Sequence, residues 1–224
     1  MTPASGTLDL VRCANLARTY GAVTALRDVT CAVRPGMQVA LTGPSGSGKT
    51  TLLHLLAGLE TPTSGTIAWP GLDGSPAGRP GLVGMVFQGP SLLPPLDVTE
   101  NVALPLLLAG CAVSQARQRA AAALRDVGLD ELAGRLPEEL SGGQAQRVAV
   151  ARALAVRPRV ILADEPTGQL DSVHAAQVTE LLLDAATRIG AALVLSTHDL
   201  TIASQLPERW QMADGRLVAE GANQ

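Results

Sequence analysis

The chain has 224 residues, a net charge of −3, 46% hydrophobic and 17% charged residues, enough for one domain with a sizeable core. That charge leaves no basic footprint for nucleic acid, and four aromatics (Tyr20, Trp69, Phe87, Trp210) leave no base-stacking surface. Cys13, Cys31 and Cys111 are odd in number and lack CxxC spacing, so they read as small buried hydrophobes in a reducing compartment. Met1 to Thr7 carries neither a basic cluster nor an apolar run, which argues against a signal peptide. The most apolar window, Val102 to Val113, is broken by Pro105 and Gly110 and is too short to span a bilayer. A cytosolic chain is expected.

Leu8 to Arg12 and Asp28 to Arg34 alternate apolar and polar residues as half-buried strands do, with Tyr20 between them. Tyr20 is either a buried anchor or an exposed stacking face for a base. Pro35-Gly36 turns the chain into an apolar strand, Met37 to Leu41, which runs into Thr42-Gly43-Pro44-Ser45-Gly46-Ser47-Gly48-Lys49-Thr50-Thr51. Leu52, Leu53, Leu55, Leu56 and Leu59 then recur at helical spacing, predicting a helix over Gly48 to Leu59. Strand, glycine-rich turn and helix are the context in which GxxxxGK[ST] cradles phosphates. Several backbone N–H groups of this loop, Pro44 having none, can converge on an anion at the positive end of the helix. Lys49 supplies a mobile cation, and the Thr50 hydroxyl a ligand for Mg²⁺. Lys49 is the only lysine in a chain that otherwise uses arginine, so a compact ammonium is specifically required there. A bound nucleotide follows.

Thr66 to Trp69 reads as a short strand, Pro70 to Pro80 as a surface loop, and Leu82 to Phe87 as a strand ending at Gln88. From Asp97 the pattern turns helical. Asp97 or Thr99 caps a helix that Pro105 should kink, Ser114 caps a second helix (Gln115 to Val127, ended by Gly128), and a third runs from Ser141 to Val156. Three helices between two core strands suggest a helical lobe. The core resumes with the apolar strand Arg159 to Ala163, closed by Asp164-Glu165. Asp171 caps Ser172 to Ile189, Ala192 to Ser196 is another apolar strand before His198, and Arg209 to Glu220 carries a hairpin signature around Asp214-Gly215.

Asp164 and Glu165 therefore emerge at the carboxyl edge of a sheet, where ligands of open α/β folds bind. Asp164 suits Mg²⁺, and Glu165 suits a water poised for in-line attack on a γ-phosphate. His198 and Gln88 close two further strands at the same edge, and Gln88 can reach the metal or the attacking water. His54 and His174 read as structural. Ser141-Gly142-Gly143-Gln144 opens a helix as a second anion-binding N-terminus. With Lys49 already serving the phosphates of its own site, this cradle fits another subunit's nucleotide better.

GPSGSGKT, Gln88 in VFQ, LSGGQ, ILADE and STHD, in this order, resemble an ATP-binding-cassette (ABC) ATPase across nearly the whole chain. LLAGLETPTSG, ENVALPLLLAG and LPEELSGGQAQRVAVARAL resemble in particular the group serving lipoprotein release, macrolide and peptide export, and cell division. The resemblance implies an α/β fold: a P-loop ATPase domain over 1–224 with a RecA-like parallel-sheet core, an N-terminal antiparallel β subdomain and an inserted α-helical subdomain at about 89–157. It further implies that Tyr20 stacks on adenine and that Ser141 to Gln144 contact the γ-phosphate across a head-to-tail homodimer formed with ATP. Glu165 would be the general base, His198 would clasp the γ-phosphate, Gln88 would link the metal to a membrane partner, and Asp171 would lie in the loop joining the two sites. ATP and Mg²⁺ are the implied cofactors. The implied partner is an integral membrane permease on another chain, which places this one on the cytoplasmic face of the plasma membrane. An ABC ATPase that regulates cell-wall or division enzymes without moving a substrate is the alternative. Repair and translation factors resemble the chain only partly, and a GTPase would need a second lysine in NKxD. The chain departs from the family pattern at Gln169, where asparagine is commoner, at Ala145, and in the short 70–80 loop.

Overall fold

A computed structural model describes residues 8–222, so the reading of Met1 to Thr7 lies outside the described residues. Two sheets form the framework. The first is antiparallel, with β1 (Val11–Tyr20) flanked by β2 (Val23–Val33) and β4 (Ser64–Ala68). The second has six strands in the order β5-β6-β7-β3-β8-β9: β5 is Val83–Val86, β6 Val160–Asp164, β7 Ala192–Thr197, β3 Gln38–Thr42, β8 Glu208–Ala213 and β9 Arg216–Ala222. The pairings are parallel throughout except for the β8–β9 hairpin.

β6 and β7 are buried at every position, as strands covered on both faces are. One apolar cluster fills the space between the sheets around helix α1 (Lys49–Leu56), which buries Leu52, Leu53, Leu55 and Leu56. A second lies on the opposite face under α5 (Ser172–Ile189) and the short α6 (Leu200–Ala203). A third is formed by α2 (Val98–Leu108), α3 (Val113–Asp126) and α4 (Gly142–Leu154), the helices between β5 and β6. No helix among the described residues is long and apolar enough to cross a membrane.

Several expectations are corrected. β1 starts three residues later than the alternation indicates and runs on to Tyr20, which ends it instead of lying between strands, while β2 starts five residues earlier, at Val23. Register shifts in β1, with Asn15 at φ 51°, break the period of two that sequence reading relies on. Helix α1 stops at Leu56 and Gly58 takes φ 69°, leaving Leu59 60% exposed. The 70–80 segment is not wholly a surface loop. Pro70–Leu72 forms a 3₁₀ turn that drives Leu72 into the core, and the Arg79 guanidinium donates to the carbonyls of Leu72 and Asp73. Ser114 does not cap α3, because the helix already begins at Val113, where the Ala112 carbonyl accepts from Ala116 N–H. Ser141 and Asp171 cap their helices as expected, and of the two candidates at the start of α2 the cap is Asp97, with Thr99 inside the helix. Cys13 and Cys31, both buried, face each other across β1 and β2, whereas Cys111 is partly exposed.

Candidate active site

The loop after β3 makes the site possible. Gly43 takes φ 147°, and a Cβ there would stand 2.3 Å from the Met212 carbonyl oxygen. Gly48 takes φ 102°, caps α1 and would collide with the Ala25 carbonyl at 2.5 Å. Only glycine permits this close backbone approach, which brings the N–H groups of the first turn of α1 to one point. Lys49 opens the helix. Its ammonium, on a side chain only 6% exposed, donates to the carbonyls of Gly43 (2.9 Å) and Pro44 (3.2 Å) and lies 3.4 Å from Glu165 Oε1.

β6 delivers the two carboxylates differently. Asp164 is the buried last residue of the strand, and its Oδ1 accepts from Ser196 Oγ at 2.7 Å. Glu165 leaves the strand in the left-handed region, φ 42°, with its N–H shared between Ser196 Oγ (2.9 Å) and the Ser196 carbonyl (3.2 Å). The turn aims the carboxylate of Glu165 back over the loop, with Oε1 facing Lys49 and Oε2 3.0 Å from His198 Nδ1. The exposed Gln88, after β5, lies against the Glu165–Gly168 segment: a Cβ on Gly168 would be 3.4 Å from its Nε2.

These groups line one cavity of about 740 Å³. The loop contributes Ser45, Gly46, Gly48, Lys49, Thr50 and Thr51, and the strand ends contribute Gln88, Asp164, Glu165 and His198. Gly43, Pro44 and Ser47 support the loop and are not among the lining residues. Tyr20 also lines the cavity, 41% exposed. Its hydroxyl donates to Glu60 Oε2, and the Arg18 guanidinium sits 4.6 Å from its ring centroid, itself 3.0 Å from Glu60. Burial pushes the Glu60 carboxyl up, but the bonds from Tyr20 and the charge of Arg18 outweigh it and hold the group below its ordinary value. The two readings left open for Tyr20 therefore resolve to an exposed ring, fixed at its hydroxyl.

Thr50, Gln88 and Asp164 all line this cavity, and their side-chain oxygens are hard donors of the kind Mg²⁺ takes. Ser141 to Gln144 do not reach it. Ser141 and Gln144 close a capping box, with Gln144 N–H donating to Ser141 Oγ (3.3 Å) and Ser141 N–H to Gln144 Oε1 (2.9 Å). The N–H groups of Gly142 and Gly143, in the first turn, have no acceptor inside the helix.

Sequence reasoning misses Ser196, which is fully buried and holds both acidic residues; its one signal was a hydroxyl at the end of an apolar strand, next to a second hydroxyl on Thr197. It also misses Ala25, on β2, as a wall of the cavity, and the Arg18–Glu60 pair behind Tyr20.

Comparison with known proteins agrees with this geometry. A family model described as ABC transporter matches residues 26–168. The lipoprotein-releasing system ATP-binding protein LolD 1 of Rhodopirellula baltica is 46% identical over 206 residues, covering 89% of this chain and 90% of its own. Dimeric MJ0796, described as a bacterial ABC transporter cassette, superposes with a TM-score of 0.85 at 34% identity, over 96% of this chain and 99% of the other. A post-hydrolysis dimer of the same cassette, bound to ADP and Pi, gives 0.84 at 33%, over 96% and 99%. CbiO1 from Clostridium perfringens, part of an ABC transporter complex, gives 0.84 at 28%, over 96% and 89%. A family model over more than half of the chain and a relative 46% identical along most of its length show that the chain belongs to the ABC transporter family, as one of its ATP-binding, ATP-hydrolysing cassettes.

Proposed function

We propose that this chain is the ATPase subunit of a membrane transporter whose permease is a separate chain, and that it works as a head-to-tail homodimer on the cytoplasmic face of the membrane. In this reading residues at about 89–157 form a helical subdomain. One observation carries the proposal: a single cavity gathers the phosphate loop, Gln88, Asp164, Glu165 and His198, while the other glycine-marked helix start, at Ser141, lies outside it. A second subunit docked head to tail would bring its Ser141 to Gln144 over the first subunit's nucleotide. The dimeric cassettes among the structural relatives and the LolD-type sequence support the same reading.

Each residue then has a defined task. Tyr20 offers its ring face to the base, and Lys49 with the N–H groups of residues 45–51 holds the phosphates in line. Thr50, Gln88 and Asp164 would hold Mg²⁺, which when bound screens phosphate charge and fixes the leaving group. Glu165 accepts a proton from the attacking water, its carboxylate aimed by Lys49 on one oxygen and His198 on the other. His198, two-thirds exposed at the rim, also reaches the outer phosphate. The N–H groups of Gly142 and Gly143 from the second subunit stabilise charge developing on that phosphate.

Glu165→Gln keeps shape but removes the base, so turnover should fall by ~10² or more while Mg-ATP binding persists. That variant should elute as a dimer with ATP in size-exclusion chromatography, and Ser141→Arg should abolish both dimer and hydrolysis. An integral membrane protein should co-purify with the chain in mild detergent. Undiminished hydrolysis by Ser141→Arg, strictly first order in protein, would refute the head-to-tail site.

A further inference from the structure

The sequence reading treats His174 as structural, but the structure gives it a particular neighbour. His174 lies in the first turn of α5, and its Nδ1 stands 2.6 Å from Asp171 Oδ2. Asp171 has no proton to give, so Nδ1–H donates, and the tautomer is set. The other carboxylate oxygen, Oδ1, accepts the N–H groups of Val173 and His174, each at 3.0 Å, so the tether is itself anchored on the helix start. These bonds hold the Asp171 carboxyl below its ordinary value, the His174 N–H contributing most. Pinned this way, the imidazole packs on the backbone of Gly143. A Cβ at 143 would lie 2.8 Å from His174 Cδ2 and 3.2 Å from Cγ, so any side chain there would have to push the ring aside.

Gly143 supplies one of the two N–H groups left over at the start of α4, and Asp171 ends the segment that begins at Glu165. That segment is short and internally bonded: Gly168 N–H donates to the Glu165 carbonyl (3.1 Å) and Leu170 N–H to the Thr167 carbonyl (3.0 Å), with Thr167 buried. We infer that His174 is a positioning residue that braces the Ser141 to Gln144 cradle against the Glu165–Asp171 segment, joining two parts of one subunit that serve different nucleotides in the dimer. The inference rests on the head-to-tail reading above. The brace works through packing: an imidazole tethered at one end by a charge-assisted bond favours one orientation against Gly143, which limits how far the Gly142–Gly143 backbone moves before the second nucleotide arrives. A half-exposed His–Asp pair at a helix start adds little to stability, so its removal should act on turnover and dimer formation more than on folding.

The test uses the full chain. His174→Ala should lower kcat on the order of tenfold with KM and monomer affinity for a fluorescent ATP analogue within about twofold. Its melting temperature should stay within about 2 °C of the parent, as for an exposed ion pair. Placed in Glu165→Gln, it should raise the protein concentration for half-formation of the ATP-bound dimer by about tenfold. His174→Phe, which keeps a ring against Gly143, should recover part of the loss; His174→Asn, which keeps a donor toward Asp171 but no ring, should not. If the Glu165→Gln, His174→Ala double variant dimerises as tightly as Glu165→Gln alone, the brace is overturned and the dimer stands. If Glu165→Gln itself stays monomeric at saturating ATP, both fall. A kcat loss that tracks an equal loss of thermal stability and nucleotide affinity would also overturn the inference, by making His174 a folding residue.

Discussion

Ser196→Ala removes one hydroxyl from a fully buried site and disturbs both acidic residues of the active site. Ser196 Oγ donates to Asp164 Oδ1 at 2.7 Å and accepts Glu165 N–H at 2.9 Å. A hydrogen bond to a charged group is worth about 1.5–3 kcal/mol, and a neutral one about 0.5–1.5 kcal/mol. The second loss is partly offset, because Glu165 N–H still faces the Ser196 carbonyl at 3.2 Å. The first is not, because Asp164 is only 8% exposed and water cannot freely replace the donor. The expected destabilisation is therefore ~2–3 kcal/mol, dominated by Asp164. For a chain of this size that corresponds to a fall of about 5–10 °C in Tm. Activity should fall as well, because Glu165 sits at φ 42°, a region costing a non-glycine residue ~1 kcal/mol or more, and loses one of the bonds that keep it there. We expect kcat down by ~10-fold with a smaller change in KM. Differential scanning fluorimetry without nucleotide, alongside steady-state ATPase assays, reads both. A Tm within about 1 °C of the parent and kcat within about twofold would refute the bridging role.

Lys49→Ala removes the only lysine, and with it the one ammonium at the phosphates, so ATP binding should weaken and hydrolysis fall to background; parental turnover would place the site elsewhere. Gly43→Ala puts a methyl 2.3 Å from the Met212 carbonyl oxygen, at a φ of 147° that an L side chain resists. It should lower Tm by several degrees and abolish nucleotide binding together, readable by fluorimetry with and without ATP. The Asp171 carboxyl is held below its ordinary value of 3.8, so its contribution to stability is full above that pH and is lost as pH falls through the lower folded value. Because the group is exposed the effect is small: Asp171→Asn should slightly flatten the decline of Tm with acidification below about pH 4, and a steeper acid limb would contradict the assignment.

Much of the site was legible because it is written in short-range terms. A strand of apolar residues ending in a polar pair fixes where Asp164 and Glu165 emerge, and a glycine-rich turn before leucines at helical spacing fixes the phosphate loop around Lys49. Capping bonds span two or three residues, so Ser141 and Asp171 could be assigned to helix starts from their own neighbourhoods, and the start of α2 narrowed to Asp97 or Thr99. What remained hidden depends on which strands lie side by side. Nothing local sets the order β5-β6-β7-β3-β8-β9, yet that order alone puts β7 beside β6 and so places Ser196 against Asp164, 32 residues away in the chain. Bulges in β1 broke the alternation that would have put Tyr20 on the strand, and tertiary packing alone decided that its ring stays exposed beside Arg18 and Glu60. Likewise the ring of His174 meets Gly143 only because α4 and α5 pack together, a contact between two helices whose separate sequences carry no trace of each other.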